Sequence, residues 1–141
     1  MTAMVDAGPL VEAGATNSPL AHTIRASFAR ERGDLIIPAP ITTEVDYLLQ
    51  QRGSPDATRR FMRDIADGQF SVECLVAAEY ELLVMLADRY AAFQPGLADL
   101  SVVILAHRFG TNRVFTLDQR HFRAMTTLDG RPFLLLPWDE P

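Results

Sequence analysis

The chain has 141 residues, 48% hydrophobic and 22% charged, with a net charge of −5 at pH 7. That is enough for one core-bearing domain, expected over residues 1–141, and too apolar for a disordered chain. Its 13 basic residues are all arginine, which excludes a P-loop and Schiff-base chemistry, and its lone Cys74 excludes a disulfide or multi-cysteine zinc site. The acidic balance argues against a nucleic-acid coat protein but not against a nuclease, because metal ions invert the sign of an acidic pocket. The N-terminal MTAMVDAGPL has no basic n-region, and no apolar run approaches the ~20 residues of a bilayer span, so a cytoplasmic chain away from the membrane is expected.

Met4-Val5 predicts a short first strand ending at Asp6, followed by a helix from about Pro9, a favoured first-turn position. Asn17-Ser18-Pro19 is a break, and Ser18 caps a helix expected from Pro19 to about Arg32, with Leu20, Ile24 and Phe28 on its apolar stripe. Gly33 stops it, and Leu35-Ile36-Ile37 forms a second strand ended by Pro38 and Pro40. The next helix is expected to open at Thr42 and to bury Val45, Leu48 and Leu49. Thr43 and Asp46 approximate a capping box, which gives Asp46 a structural task and turns it to solvent. Glu44 shares a face with Leu48 and borders the apolar stripe, where a carboxylate needs a partner or a metal.

Gly53-Ser54-Pro55 is another break, before a helix over Asp56 to Asp67 that directs Phe61, Met62 and Ile65 inward. Phe70 to Val76 is expected as a strand, Ala77 to Phe93 as a long helix and Gln94-Pro95-Gly96 as a turn. From Asp99 to Phe109 the apolar residues Val102, Val103, Leu105, Ala106 and Phe109 follow a helical period, with Gly110 at the stop. Arg113 to Thr116 is a short buried strand, and Asp118 stands just beyond it at the start of a helical turn. Phe133 to Leu136 is the last strand. Strands alternating with helices imply an α/β fold, a mainly parallel twisted sheet with helices on both faces.

Singly, Asp6, Asp99 and Asp118 each fit a helix cap, and Glu44 fits an ordinary surface glutamate. Together they point elsewhere. Asp6 and Asp118 both follow strands, so a parallel sheet brings them to its carboxyl edge, where ligands bind. Glu44 lies just beyond the second strand; Asp99 is linked to the group only by its spacing to Asp118. Four converging carboxylates raise one another's pKa values, and Mg²⁺ or Mn²⁺ relieves that cost with oxygen ligands. The three histidines are poorly placed for zinc, and Ser54 and Ser101 have no histidine–acid arrangement around them. Arg113, Arg120, His121 and Arg123 surround the last acid, and a phosphate-holding cluster and a solvated surface cluster are both open readings.

The motifs V-D-A-G-P-L-V, P-x-x-x-T-E-V-D-Y-L-L, L-A-D-L-S-V-V-I-L-A-H-R-F-G and V-F-T-L-D-Q-R-H-F, with the closing strand after Gly130-Arg131-Pro132, resemble the PIN domain of VapC-type toxins over nearly the whole chain. The resemblance implies a Mg²⁺- or Mn²⁺-dependent endoribonuclease, the toxin of a type II toxin–antitoxin system. Its acidic quartet falls on Asp6, Glu44, Asp99 and Asp118, with Asp6 and Asp99 as direct metal ligands and the other two completing the shell. Thr116 matches the family's hydroxyl residue before the last acid and joins Arg113, Arg120, His121 and Arg123 as the implied RNA-binding residues; Ala7-Gly8 departs from the hydroxyl residue that often follows the first. A cognate VapB-type antitoxin and a homodimer are also implied, with Tyr47, Phe61 and Met62 of the Thr42 to Asp67 helical pair as candidate contacts. The alternative is a catalytically silent PIN-like module that binds RNA or protein; an intact quartet argues against it.

Overall fold

The computed structural model describes residues 1–15, 17–52 and 54–140; Gly53, part of an expected break, lies outside them. The elements run β1 (Ala3–Val5), α1 (Ala7–Gly14), α2 (Ala21–Arg30), β2 (Leu35–Pro38), α3 (Ala39–Arg52), α4 (Pro55–Ala66) and β3 (Ser71–Glu73). They continue with α5 (Ala77–Arg89), α6 (Leu97–Arg108), β4 (Arg113–Phe115), α7 (Gln119–Ala124) and β5 (Leu134–Leu136). The five strands form one all-parallel sheet in the order β3-β2-β1-β4-β5. The α/β reading holds, and the sheet is flanked by helices.

Burial explains why so short a strand as β1 persists. Ala3, Met4 and Val5 are all fully buried. Successive strand residues point to opposite faces, so three buried in a row require cover on both faces of the sheet. On one face that cover includes α6, buried from Leu100 through Ala106 and packed on β1, β2, α3 and α5. A helix apolar all round belongs in an interior. Phe28 of α2 meets Phe70 and Phe115 edge-on, at centroid distances of 5.4 and 4.9 Å. After β5, Asp139 pairs with Arg123 of α7 and Glu140 with Arg30 of α2, tying the chain end to both helices.

Several expectations are corrected. Helix α3 starts at Ala39, a turn before Thr42, because Pro40 occupies the first helical turn, where a missing N–H costs nothing. Thr43 therefore lies inside the helix, its hydroxyl bonded to the Pro40 carbonyl at 3.4 Å, and there is no capping box. Asp46 is half-buried and accepts from Gln50 on the next turn. In α4 the buried stripe runs through Ala57 and Phe61 at helical spacing, with Ile65 half-buried; Met62, one position off, is 56% exposed. The Phe70 to Val76 strand contracts to Ser71–Glu73 because an edge strand with one neighbour pairs only where β2 lies beside it.

Candidate functional site

The central strand β1 has β2 on one side and β4 on the other, so the order of connection reverses between β1 and β4. Such switch points open a crevice at the carboxyl ends of the strands. Asp6 directly follows β1, and Thr116 to Asp118 directly follow β4. Asp99 reaches the same edge for a reason that sequence spacing alone leaves out. A helix feeding a parallel strand runs antiparallel to it, so the N-terminus of α6 lies at the carboxyl edge. Glu44 comes from the second turn of α3, the helix after β2.

Asp6 is 8% exposed and doubly held. Its Oδ1 accepts from the Ala7 N–H at 2.9 Å, capping α1, and its Oδ2 accepts from the Thr116 hydroxyl at 2.8 Å. The Thr116 hydroxyl accepts in turn from the Asp118 N–H at 2.9 Å, so one side chain links the first and last acids. A Cβ on Gly8 would sit 3.1 Å from Leu117 Cγ, tighter than ordinary packing, so the first turn of α1 approaches the β4 loop as closely as glycine allows.

Burial pushes the Asp6 carboxyl up from 3.8 to about 6; its two hydrogen bonds oppose the rise, and the charges of Asp99 and Glu44 add to it. Asp99 is also raised, first by burial, while hydrogen bonding to His121 opposes the rise and the Asp118 charge adds to it. The Gly96 backbone amide also opposes the rise, and Asp99 stands in the first turn of α6. Asp6 thus feels the charges of Asp99 and Glu44, and Asp99 that of Asp118. Glu44 is exposed at its mouth rather than packed along the stripe of α3.

Sign and window follow from these shifts. A raised carboxyl pKa means the folded chain binds the proton more tightly, so metal-free stability falls as pH rises from 3.8 through about 6 and levels off above. The Asp6 shift corresponds to about 3 kcal/mol at neutral pH. Glu12, Glu79, Asp129 and Asp139 are lowered, so their contribution is lost only as pH falls below the ordinary carboxylate range. The melting temperature in EDTA is therefore expected to be higher at pH 5.5 than at pH 7.5. Asp6→Asn should flatten that difference in a thermal melt; an unchanged slope in the variant contradicts the assignment.

The residues expected at the RNA are arranged differently. Thr116 is fully buried, its hydroxyl engaged with Asp6 and with the Asp118 N–H. Arg113 starts β4, at the opposite edge of the sheet, and is half-buried in an ion pair with Glu31. Arg123 is held by both carboxylate oxygens of Asp139, at 2.7 and 3.0 Å. Arg120 is exposed and makes none of these pairs. His121 turns inward: its Nδ1 lies 3.1 Å from Asp99 Oδ2 and 2.9 Å from Asp118 Oδ2. The i,i+3 spacing from Asp118 carried that signal, since it puts the two on one helical face. Trp138, which the sequence did not single out, donates its indole N–H to the Thr116 carbonyl at 3.1 Å.

This donor set fits a divalent cation: one buried carboxylate, Asp6, two half-buried ones, Asp99 and Asp118, an exposed one, Glu44, and the imidazole of His121. One donor atom each from Asp99, Asp118 and His121 lies within 4.8 Å of the others. Among the described residues no helix is long and apolar enough to cross a membrane.

No family model matches the chain. It is 33% identical over 117 residues to Ribonuclease VapC26 of Mycobacterium tuberculosis, covering 82% of this chain and 87% of that protein. The crystal structure of Mycobacterium tuberculosis VapC20, described as a sarcin–ricin loop cleaving toxin, is similar with a TM-score of 0.78. At 14% identity, over 88% of this chain and 95% of that one, the likeness is one of fold.

Proposed function

We propose, from the premise that this chain belongs to the VapC-type toxins of the PIN-domain family, that it is a Mg²⁺- or Mn²⁺-dependent endoribonuclease, acting as one domain over residues 1–141. The observation that carries the reading is the gathering of Asp6, Glu44, Asp99 and Asp118 at the β1–β4 switch point, where Asp6 is pushed up to about 6 by burial and by its neighbours. Such repulsion is costly to maintain unless a cation compensates it.

A bound Mg²⁺ or Mn²⁺ supplies the charge that lets water attack a phosphodiester in line and that stabilises the leaving oxygen. The chain's own residues do the rest. Asp6 and Asp99, the two most buried acids of the four, would hold the cation. Asp118 and Glu44 would complete its surroundings, directly or through water, or orient the attacking water. Thr116 fixes the Asp6 carboxylate through its 2.8 Å bond, so the ligand arrives pre-positioned. Arg120, exposed beside the acids, meets an RNA phosphate; Arg113 and Arg123, engaged with Glu31 and Asp139, do not.

A VapB-type antitoxin is the partner that this family membership brings with it. A groove of about 620 Å³ between α1, α2 and α4, floored by Leu10, Phe28, Leu49, Phe61 and Phe70, supports docking of its apolar segment, with Arg25, Arg60 and Arg63 placed to receive acidic residues. Phe61 therefore belongs to the groove. Val76, Tyr80 and Val84, exposed one helical turn apart along α5, support contact with a second copy as a homodimer.

The test is cleavage of total RNA by antitoxin-free protein with Mg²⁺, with Mn²⁺ and with EDTA. Discrete fragments that require the cation are expected. RNA binding without cleavage in either metal overturns the nuclease reading in favour of a silent RNA-binding module.

A further inference from the structure

We propose that His121 is a nitrogen ligand of the cation in this cleft, and that the chain consequently prefers Mn²⁺ and later transition-series divalents to Mg²⁺. The inference rests on the metal-nuclease reading above and adds to it a ligand outside the acidic quartet. The geometry is specific. Nδ1 of His121 stands 2.9 Å from Asp118 Oδ2 and 3.1 Å from Asp99 Oδ2, between two carboxylates on different elements. Among the described residues, these three side chains bring their donor atoms within 4.8 Å of one another.

The ring is held in that direction from three sides. The His121 backbone N–H donates to Asp118 Oδ1 at 3.0 Å, which leaves Oδ2 turned toward the imidazole. Asp99 fixes the other flank of Nδ1. The Phe93 ring lies against the imidazole at a centroid distance of 5.5 Å and an interplanar angle of 33°, covering one face. A histidine that serves RNA phosphates presents its nitrogen to solvent; this one presents Nδ1 to the acids.

A simpler role also produces the metal-free contact: an imidazolium that only neutralises Asp99 and Asp118. The two roles diverge once a cation arrives. A counter-ion is displaced by the metal, whereas a ligand keeps its nitrogen on it. The choice of metal then follows from donor chemistry. Mg²⁺ takes oxygen ligands and gives up its waters reluctantly. Affinity for sites that contain nitrogen rises from Mn²⁺ through Co²⁺.

Mn²⁺ added to the metal-free full chain is the probe. Pulsed electron paramagnetic resonance of the bound ion should show a ¹⁴N coupling from one imidazole, converted to the ¹⁵N pattern when only histidine is labelled. The coupling should vanish in His121→Gln and in His121→Asn and persist in His107→Gln. In competition titrations His121→Gln should lower the Mn²⁺-over-Mg²⁺ preference at least about tenfold, the smaller end of what losing even an outer-shell partner costs a metal site. Thermal melts of both His121 variants confirm that they are folded. Mn²⁺ binding that Asp99→Asn abolishes, but that shows no histidine coupling in the native chain, overturns the ligand role and leaves the nuclease reading standing. Failure of the native chain to bind Mn²⁺ overturns both.

Discussion

The Asp6→Asn variant is expected to lose metal-supported RNA cleavage by about a hundredfold or more, and yet to melt about 5 °C above the native chain in EDTA at pH 7.5. Both effects have one cause. The carboxylate is the most buried acid of the quartet, and its ionised form is held against desolvation and against Asp99 and Glu44. Asparagine keeps the bond from the Ala7 N–H, since it caps helices as well as aspartate does. It removes the charge, and with it much of the roughly 3 kcal/mol that ionisation costs the metal-free fold. It also misplaces the partner of the Thr116 hydroxyl, which is why the expected gain stays near 5 °C. Loss of a ligand exceeds the loss of an outer-shell partner, which alone reaches about a hundredfold. Native-level cleavage by the variant moves the chemistry elsewhere. A lower melting temperature in EDTA means that the cap and the Thr116 bond outweigh the repulsion.

Phe115→Ala is expected to cost about 3–5 kcal/mol, the range for removing a buried aromatic ring. Phe115 is fully buried on β4, and Phe28 packs against it edge-on at 4.9 Å. Phe28 also lines the groove assigned to the antitoxin, so the vacated volume lies directly beneath that surface. The variant should lower the denaturation midpoint sharply without changing the slope, and weaken antitoxin binding, while the molecules that remain folded still bind Mn²⁺. A loss below about 1 kcal/mol shows that the core relaxes to fill the space, and detaches the groove from β4.

Much of this architecture is legible in the chain because its signals are local. Leu35-Ile36-Ile37 and Val114-Phe115 are continuous apolar runs, the pattern of strands covered on both faces, with a proline break directly after the first and an acid three residues after the second. Asp6 and Asp118 could be assigned to one edge from that alone. Asp99 could not, because its place depends on the direction in which α6 crosses back to β4, a property of topology. Glu44 borders the apolar stripe of its own helix in the sequence pattern, whereas its charge is felt by Asp6, on another element.

The start of α3 was misplaced because proline marks both strand ends and first helical turns, and Pro38-Ala39-Pro40 supplies both meanings within three residues. The arginines show the limit of charge proximity in sequence. Arg113 and Arg123 neighbour Asp118 along the chain, yet each is claimed by an acid far from it in sequence, Glu31 and Asp139. Sequence spacing gives the side chains near a site; only the packing says which of them are already paired. His121 is the reverse case, a surface-looking histidine turned inward by Phe93 and two acids.

The central claim is that the acids at the β1–β4 crevice hold a divalent cation, and anomalous diffraction from crystals soaked in Mn²⁺ tests it most directly. A manganese peak is predicted between Asp6 and Asp99, within coordinating reach of both and bordered by Asp118 and His121, and it should be missing in Asp6→Asn crystals soaked alongside. A peak only elsewhere on the surface, or an equally occupied one in the variant, contradicts it.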